Sequence, residues 1–146
     1  MLLPGTVAVL VPALLIWRFG ANVQPVTAAV GALLVAAGLA LVAWTVRLFV
    51  TLGRGTLAPW APTSALVVRG PYRYVRNPMI TGVGTILGGQ ALLFRSWAVA
   101  IELAVFAIVN AIYFPLIEEP GLQRRFGVEY EEYCARVPRW LPRVRL

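Results

Sequence analysis

Histidine, lysine and aspartate are absent from this sequence, and cysteine occurs once. Without histidine, any mechanism that requires a histidine base or a histidine metal ligand is excluded, so we expect no metal site. The single Cys134 cannot form an internal disulfide. No base partner stands near it in the sequence, so we assign it a packing role.

Charge is also scarce, at 13% of residues, whereas soluble domains typically carry roughly 25%. Hydrophobic residues make up 60% of the chain instead, which predicts an integral membrane protein. The net charge of +7 comes from arginine. Because arginines that flank apolar spans commonly anchor lipid headgroups, we expect membrane lipids as partners and no nucleic acid.

Four apolar stretches approach the roughly 20 residues that a membrane-spanning helix needs. They cover about residues 2–19, 26–50, 78–94 and 97–117. The first lacks a basic leader and a small-residue cleavage site, so we interpret it as a retained helix rather than a signal peptide. The last two form a tight hairpin. The sequence predicts one all-α integral membrane domain, residues 1–146, with about four transmembrane helices and a cytoplasmic amphipathic helical tail over residues 118–146.

The arginines divide unevenly between the two sides of this topology. Only Arg18 and Arg95 fall on the side opposite the termini. Because arginine-rich loops stay in the cytoplasm, both termini are predicted to be cytoplasmic. The arginines on that side are Arg47, Arg54, Arg69, Arg73, Arg76, Arg124, Arg125, Arg136, Arg139, Arg143 and Arg145.

The segment RGPYRYVRNPMITGVG, residues 69–84, carries the first chemically informative pattern. Proline disfavours α geometry in the residue before it and is favoured at the first helical position, so Asn77 is predicted to cap a helix that begins at Pro78. The free N–H groups of this helix start, with Arg73 and Arg76 beside it in sequence, suit a carboxylate or a phosphate. A capped helix with lipid-headgroup anchors is the alternative.

Glycine is frequent in the third apolar stretch. Gly84 and Gly88 are four residues apart, the spacing at which two membrane helices can approach closely. Gly82 and Gly84 form a G-x-G element, which alternatively allows a ligand to approach the backbone.

Two glutamates, Glu118 and Glu119, stand where the fourth stretch ends. Carboxylates at the end of a membrane helix are costly unless they are hydrated or paired. Three interpretations are open: solvation, capping of a next helix that begins at Pro120, and a seat for a cation such as ammonium or sulfonium. Glu102, within the span, is expected to face the bundle interior or to snorkel, and to pair with Arg95.

The tail carries apolar residues at steps of three and four from Leu122 to Val137. This spacing predicts an amphipathic helical stretch, broken at Gly127, that lies on the membrane interface and covers a pocket near the glutamates. Glu132 and Arg136 are spaced for an i,i+4 ion pair.

These two blocks, residues 69–84 and the later EEPGLQRRFGVEYEEYCARVPRWLP, resemble the membrane methyltransferases of the isoprenylcysteine carboxyl methyltransferase and phospholipid N-methyltransferase group. The resemblance covers roughly residues 66–142. It implies methyl transfer from S-adenosyl-L-methionine, entering from the cytosol, to a lipophilic acceptor. The cofactor-binding residues that it implies are Tyr74, Arg76, Asn77, Pro78, Gly82, Gly84, Glu118, Glu119, Tyr130 and Tyr133, with Pro138 as the closing proline.

The chain departs from the group at three positions. Asn77 stands where histidine is usual, and Ile80 replaces a common tyrosine. Phe114 replaces an arginine of the prenylcysteine enzymes. If that arginine serves the acceptor carboxylate, another lipid acceptor becomes plausible, so carboxyl methylation and phospholipid or amine N-methylation are both open.

The cofactor and the residues suggest specific pairings. We expect the helix start at Asn77, with Arg73 or Arg76, to hold the cofactor carboxylate. Glu118 or Glu119 would take its ammonium, and tyrosines would flank the adenine or the sulfonium. An amine or phenol acceptor needs deprotonation, for which Glu118 is the catalytic candidate. The alternatives are a relative that binds the cofactor without turnover, and a non-catalytic protein that binds lipid or a partner.

Overall fold

The structure is a computed structural model that describes residues 5–52 and 65–141. These residues form helices and turns, and no strand occurs among them, so the all-α prediction is confirmed there. The helices are α1 (Val11–Phe19, preceded by a π-helical turn over Thr6–Leu10), α2 (Pro25–Leu52), α3 (Pro78–Leu93), α4 (Trp97–Tyr113), α5 (Glu119–Phe126) and α6 (Val128–Arg136). Arg54, Arg143 and Arg145, which contributed to the topology prediction, lie outside the described residues.

Two helices are long and apolar enough to cross a membrane. They are Pro25–Leu52, with 28 residues, and the continuous helix Trp97–Phe126, with 30 residues. The apolar helices Thr6–Phe19 and Pro78–Leu93 match the first and third predicted spans but are shorter. With 16 residues, α3 is about 24 Å long, less than the roughly 30 Å hydrocarbon core, so four spans remain a prediction.

The helix that begins at Trp97 does not end at residue 118, where the boundary between a fourth span and a tail was predicted, and that membrane boundary stays a prediction. The helix runs on from Trp97 to Phe126 through a π-helical turn over Phe114–Glu118. That turn contains Pro115, whose missing N–H would interrupt regular α-helical hydrogen bonding, and the wider π geometry accommodates it. α5 begins at Glu119 rather than at Pro120, and Glu118 makes no side-chain capping bond.

The chain divides into two compact units. Unit 1 comprises Met1–Ala40 and Ile80–Asn110, and unit 2 comprises Leu41–Met79 and Ala111–Leu146. The residues with titratable or polar side chains that carry the sequence resemblance are mostly in unit 2. Unit 1 is mainly apolar helix.

Unit 1 contains direct backbone contacts between α2 and α3. A Cβ added to Gly31 would lie 2.6 Å from the carbonyl oxygen of Gly89, and one added to Gly38 would lie 2.7 Å from that of Gly82. The two contacts are seven residues apart on each helix, which is about two turns. Only residues without a side chain allow such close packing, so these glycines determine how the two helices meet.

The Gly84–Gly88 pair, for which close helix contact was predicted, makes looser contacts. A Cβ on Gly84 would lie 3.8 Å from Leu103 of α4, and one on Gly88 would lie 3.6 Å from the same side chain. These are ordinary van der Waals distances. The closest approach in unit 1 is therefore made by the neighbouring glycines, Gly82 and Gly89.

The predicted hairpin between α3 and α4 is confirmed. α3 ends at Leu93 and α4 begins at Trp97, and Arg95 adopts a left-handed φ of 46° in the turn. The expected ion pair between Arg95 and Glu102 is not formed. The side chain of Arg95 is exposed, and both carboxylate oxygens of Glu102 are buried without a hydrogen-bond partner among the described residues.

The core of unit 2 is formed by the amphipathic C-terminal helices. Tyr130, Tyr133 and Val137 are buried, and Leu66, Leu122, Phe126 and Cys134 pack against them. The apolar face predicted from the sequence therefore packs inside this unit. The predicted break at Gly127 is confirmed by its φ of 55°, and Glu132 and Arg136 form the predicted ion pair at 3.5 Å.

Candidate functional site

The first part of the site begins at Gly70, whose backbone lies in the left-handed region. Gly70, with φ of 59°, begins a 3-10 turn over Gly70–Arg73, and a Cβ there would lie 2.8 Å from Leu48 of α2. Glycine adopts this φ without steric cost. The following Tyr72 is buried, and its ring packs edge-on against Phe49 at 5.5 Å. These contacts attach the turn to α2.

Two hydrogen bonds join this turn to the C-terminal part of unit 2. The hydroxyl of Tyr133 donates to the carbonyl oxygen of Tyr72 at 2.7 Å. The backbone N–H of Arg76 donates to the carbonyl oxygen of Pro138 at 2.9 Å. The two sequence blocks that carry the resemblance are therefore in direct contact.

An arginine–glutamate cluster, formed by Arg76, Glu119 and Arg139, lies at this junction. Nη1 of Arg76 donates to Oε1 of Glu119 at 2.9 Å. Arg139 binds the same carboxylate with two nitrogens, Nε to Oε1 and Nη2 to Oε2, each at 2.7 Å. The side chains are 14%, 17% and 32% exposed, respectively. Partial removal from water strengthens these charge-assisted bonds.

The cluster retains unused binding capacity. Nη1 of Arg76 also lies 2.9 Å from Sγ of Cys134, but Nε of Arg76 is buried without a hydrogen-bond partner among the described residues. Two guanidinium groups share one carboxylate, so the formal charge of the cluster is +1. A buried donor and an excess positive charge together suit an anionic group.

Glu118 has different surroundings from Glu119. It is half-buried, its carboxylate lies near the hydroxyl of Tyr113, and it takes no part in the ion pairs of the described residues. Phe114, at the position of the missing arginine, is buried and packs edge-on against Trp140 at 5.6 Å. Phe114 thus makes an aromatic contact at the position where the resemblance implies a positively charged arginine.

The tyrosines of unit 2 are neutral hydrogen-bonding groups. Burial raises the pKa of Tyr72, Tyr130 and Tyr133 above the ordinary value of a phenol. For Tyr133 the effect of burial outweighs that of Arg76, whose charge lowers the pKa. The hydroxyl of Tyr133 therefore keeps its proton at neutral pH and can donate a hydrogen bond to the carbonyl oxygen of Tyr72.

Replacing Tyr133 by phenylalanine should lower the free energy of unfolding by about 1 kcal/mol, because the carbonyl oxygen of Tyr72 loses its donor. Denaturation in mixed micelles, followed by tryptophan fluorescence, measures the change. Tyr74→Phe is the matched control, since Tyr74 is 65% exposed and a change within about 0.5 kcal/mol is expected. Equal losses in both variants would show that the Tyr133–Tyr72 bond contributes nothing.

Of the predicted cofactor residues, four lie in or beside the cluster: Arg76, Glu119, Tyr130 and Tyr133. The ring centroids of Tyr130 and Tyr133 are 6.2 Å apart, and the hydroxyl of Tyr130 lies near Cys134 and Arg76. Pro138, the predicted closing proline, contacts the backbone of Arg76.

The remaining predicted residues lie elsewhere. Asn77 precedes α3, which begins at the buried Pro78 as predicted. Tyr74 is exposed on the turn. Gly82 and Gly84 belong to unit 1, where Gly82 contacts Gly38 of α2.

Sequence reasoning missed two members of the site. Arg139 was treated only as one of the cytoplasmic arginines, although it directly follows Pro138. Cys134 does pack in the core, but its sulfur also contacts Arg76. The available signal for Arg139 was its position directly after Pro138, at the end of the second sequence block. Nothing in the sequence pointed from Cys134 to Arg76.

The described residues thus form helices, two of them long and apolar enough to cross a membrane, and a partly buried arginine–glutamate cluster with a formal charge of +1. Residues 26–129 match the family described as phospholipid methyltransferase. The chain belongs to this family of membrane methyltransferases, as the resemblance implied. Neither the curated proteins nor the solved structures contain a significant match.

Proposed function

We propose that the protein transfers a methyl group from S-adenosylmethionine to a lipophilic acceptor at the cytoplasmic face of the membrane. Membership of the family supports the reaction type. The proposal is supported most directly by the arginine–glutamate cluster, in which Nε of Arg76 has no hydrogen-bond partner among the described residues. The apolar helices support a lipophilic acceptor, and the arginine distribution supports cytoplasmic termini and entry of the cofactor from the cytosol.

The residues present fit the charged end of this cofactor. Nε of Arg76 is a buried donor without an acceptor, and the cluster has a formal charge of +1, so a carboxylate would satisfy both. The N-terminus of α3, one residue beyond Asn77, adds the positive end of a helix dipole next to Arg76 in sequence.

Glu118 is better suited than Glu119 to receive the ammonium group. Both oxygens of Glu119 already accept hydrogen bonds from arginine. Glu118 lies near the neutral hydroxyl of Tyr113 and forms no ion pair within the described part of the chain. A carboxylate whose partner is neutral gains more from a cation than one already shared by two guanidinium groups.

The tyrosines would play different parts. Tyr130 and Tyr133 are buried in the core of unit 2, so they would support the cluster by packing. Tyr74 has an exposed ring and is the tyrosine on which an adenine could stack.

When bound, S-adenosylmethionine supplies an activated methyl group on its sulfonium. The chain positions the acceptor, excludes water and, for an amine or phenol, removes a proton. Glu118 would be the base in that case, accepting the proton on the carboxylate oxygen that does not hold the ammonium group. A carboxylate acceptor would need no base, and proximity would supply much of the rate.

Carboxyl methylation, as in the prenylcysteine enzymes, and amine or phospholipid N-methylation both stay open as proposals, and Phe114 bears on the choice. Phe114 packs against Trp140, so the position that carries an arginine in prenylcysteine enzymes holds no cation here. An acceptor carboxylate would lack its partner at this point, whereas a neutral amine would not.

Calorimetric titration of the purified protein with S-adenosylhomocysteine tests this proposal. We expect saturable binding, weakened roughly 10- to 100-fold by Glu118→Gln, because a charge-assisted bond to the ammonium is lost. Glu129→Gln, which changes an exposed glutamate of α6, should leave the affinity unchanged. Transfer of a labelled methyl group to extracted lipids then identifies the acceptor.

No binding by the wild-type protein in lipid-supplemented detergent would refute the proposal and favour a non-catalytic lipid-binding protein. Binding without any transfer to lipids would favour a relative that has lost turnover. Equal affinities for wild type and Glu118→Gln would remove Glu118 from the site.

A further inference from the structure

We refer to residues 137–141, which follow α6, as the C-terminal segment. Three of its residues contact other parts of unit 2. The carbonyl oxygen of Pro138 accepts a hydrogen bond from the backbone N–H of Arg76 at 2.9 Å. Arg139 binds Glu119, and the ring of Trp140 packs against Phe114 at 5.6 Å. Three consecutive residues thus have fixed partners, which places the guanidinium of Arg139 on Glu119.

The two arginines of the cluster use Glu119 differently. Arg139 approaches with the edge formed by Nε and Nη2 and satisfies one carboxylate oxygen with each nitrogen. Arg76 approaches with Nη1 alone and reaches only Oε1. The two-nitrogen geometry is the stronger one, and it fixes the plane of the carboxylate.

This difference explains why Nε of Arg76 has no partner. A carboxylate that is not otherwise held tends to bind a guanidinium through two parallel hydrogen bonds. The pair that includes Nε uses the Nε–Nη2 edge of Arg76, and Glu119 cannot leave Nη1 for that edge while both of its oxygens are held by Arg139. Nε of Arg76 therefore remains available as a buried donor.

We propose that Arg139 is a positioning residue of the cofactor site, which holds Glu119 so that Arg76 keeps a donor for the carboxylate of the ligand. The inference rests on the proposed function, because it assigns that carboxylate to Arg76. Without Arg139, Glu119 is free to leave Nη1 for the Nε–Nη2 edge of Arg76, where two parallel hydrogen bonds occupy the donor. The ligand then loses its carboxylate contact while its nucleoside contacts are unaffected.

Two probes separate this role from a structural one. S-Adenosylhomocysteine carries the amino-acid carboxylate, and 5′-methylthioadenosine is a similar thioether nucleoside without the amino-acid group. Calorimetry gives the affinity for the first, and competition against labelled S-adenosylhomocysteine gives that for the second. Arg139→Gln should weaken S-adenosylhomocysteine about 10-fold and change 5′-methylthioadenosine less than about twofold.

Two further variants complete the experiment. Arg139→Lys retains the charge but supplies a single point of contact, so its affinity for S-adenosylhomocysteine should fall between wild type and Arg139→Gln. If Arg139→Gln does not fold, the comparison of Arg139→Lys with wild type tests the positioning role of Arg139. Arg136→Gln is the matched control, because Arg136 is exposed and pairs with Glu132 outside the cluster, and it should bind both probes like wild type.

The outcomes distinguish this inference from the proposed function. If wild type binds neither probe, both are overturned. If wild type binds and the Arg139 variants bind S-adenosylhomocysteine equally well, the role of Arg139 is refuted and the proposed function stands. If Arg139→Gln weakens both probes to the same extent, Arg139 has a structural role and the inference fails.

Discussion

Replacing Glu119 by glutamine is expected to lower the free energy of unfolding by about 3 kcal/mol, the lower end of the range for removing one partner of a buried ion pair. Glu119 is the carboxylate that neutralises Arg76 and Arg139, which are mostly removed from water. Its loss leaves two guanidinium groups facing each other without a counter-charge. Unfolding in mixed micelles, at fixed detergent and salt, measures the effect.

Glu132→Gln is the matched control for this substitution. Glu132 also pairs with an arginine, Arg136, but at 3.5 Å and with both side chains well exposed. Exposed pairs contribute at most about 1 kcal/mol. A loss at Glu119 no larger than that at Glu132 would show that the cluster is solvated and would weaken its assignment as a binding site.

Replacing Gly89 by alanine should destabilise unit 1 by about 2–3 kcal/mol. The added Cβ would lie 2.7 Å from the carbonyl oxygen of Gly31 and 2.8 Å from the backbone N of Val35. Neither backbone atom can move without displacing α2, so the overpacking strains both helices. Unfolding in mixed micelles gives the change in free energy.

The adjacent Gly88 provides the control within the same helix turn. A Cβ there would lie 3.6 Å from Leu103, an ordinary contact with a flexible side chain. Alanine also has a better helix propensity than glycine, so Gly88→Ala should be neutral or should stabilise by up to about 1 kcal/mol. Similar effects at the two positions would contradict the backbone contact between α2 and α3.

Helix starts and the general class of the protein could be predicted from local sequence. Pro78 begins α3 because proline has no N–H to lose at a first helical position, and this preference acts without tertiary contacts. The apolar runs likewise predicted α2 and the helix from Trp97. The end of that helix was not predictable from Pro115 and the glutamates, since a π-helical turn lets it continue.

For the candidate site, the sequence indicated which residues take part but not how they pair. Arg76 and Glu119 were predicted as separate ligands for the two charged ends of a cofactor, and in the structure they bind each other. Glycine spacing drew attention to Gly84 and Gly88, while the close contacts fall on Gly82 and Gly89. The relevant partners, Gly31 and Gly38, lie far away in the sequence.

Short segments were enough to predict apolar helices and the two blocks of a methyltransferase family, because apolar run length, proline position and local motifs are local properties. Packing was needed to bring Arg139 onto Glu119 and to leave Nε of Arg76 without a hydrogen-bond partner among the described residues. An ion pair depends on where side chains from distant segments meet. Residues 76, 119 and 139 are brought together by packing around Tyr130 and Tyr133, which no local pattern encodes.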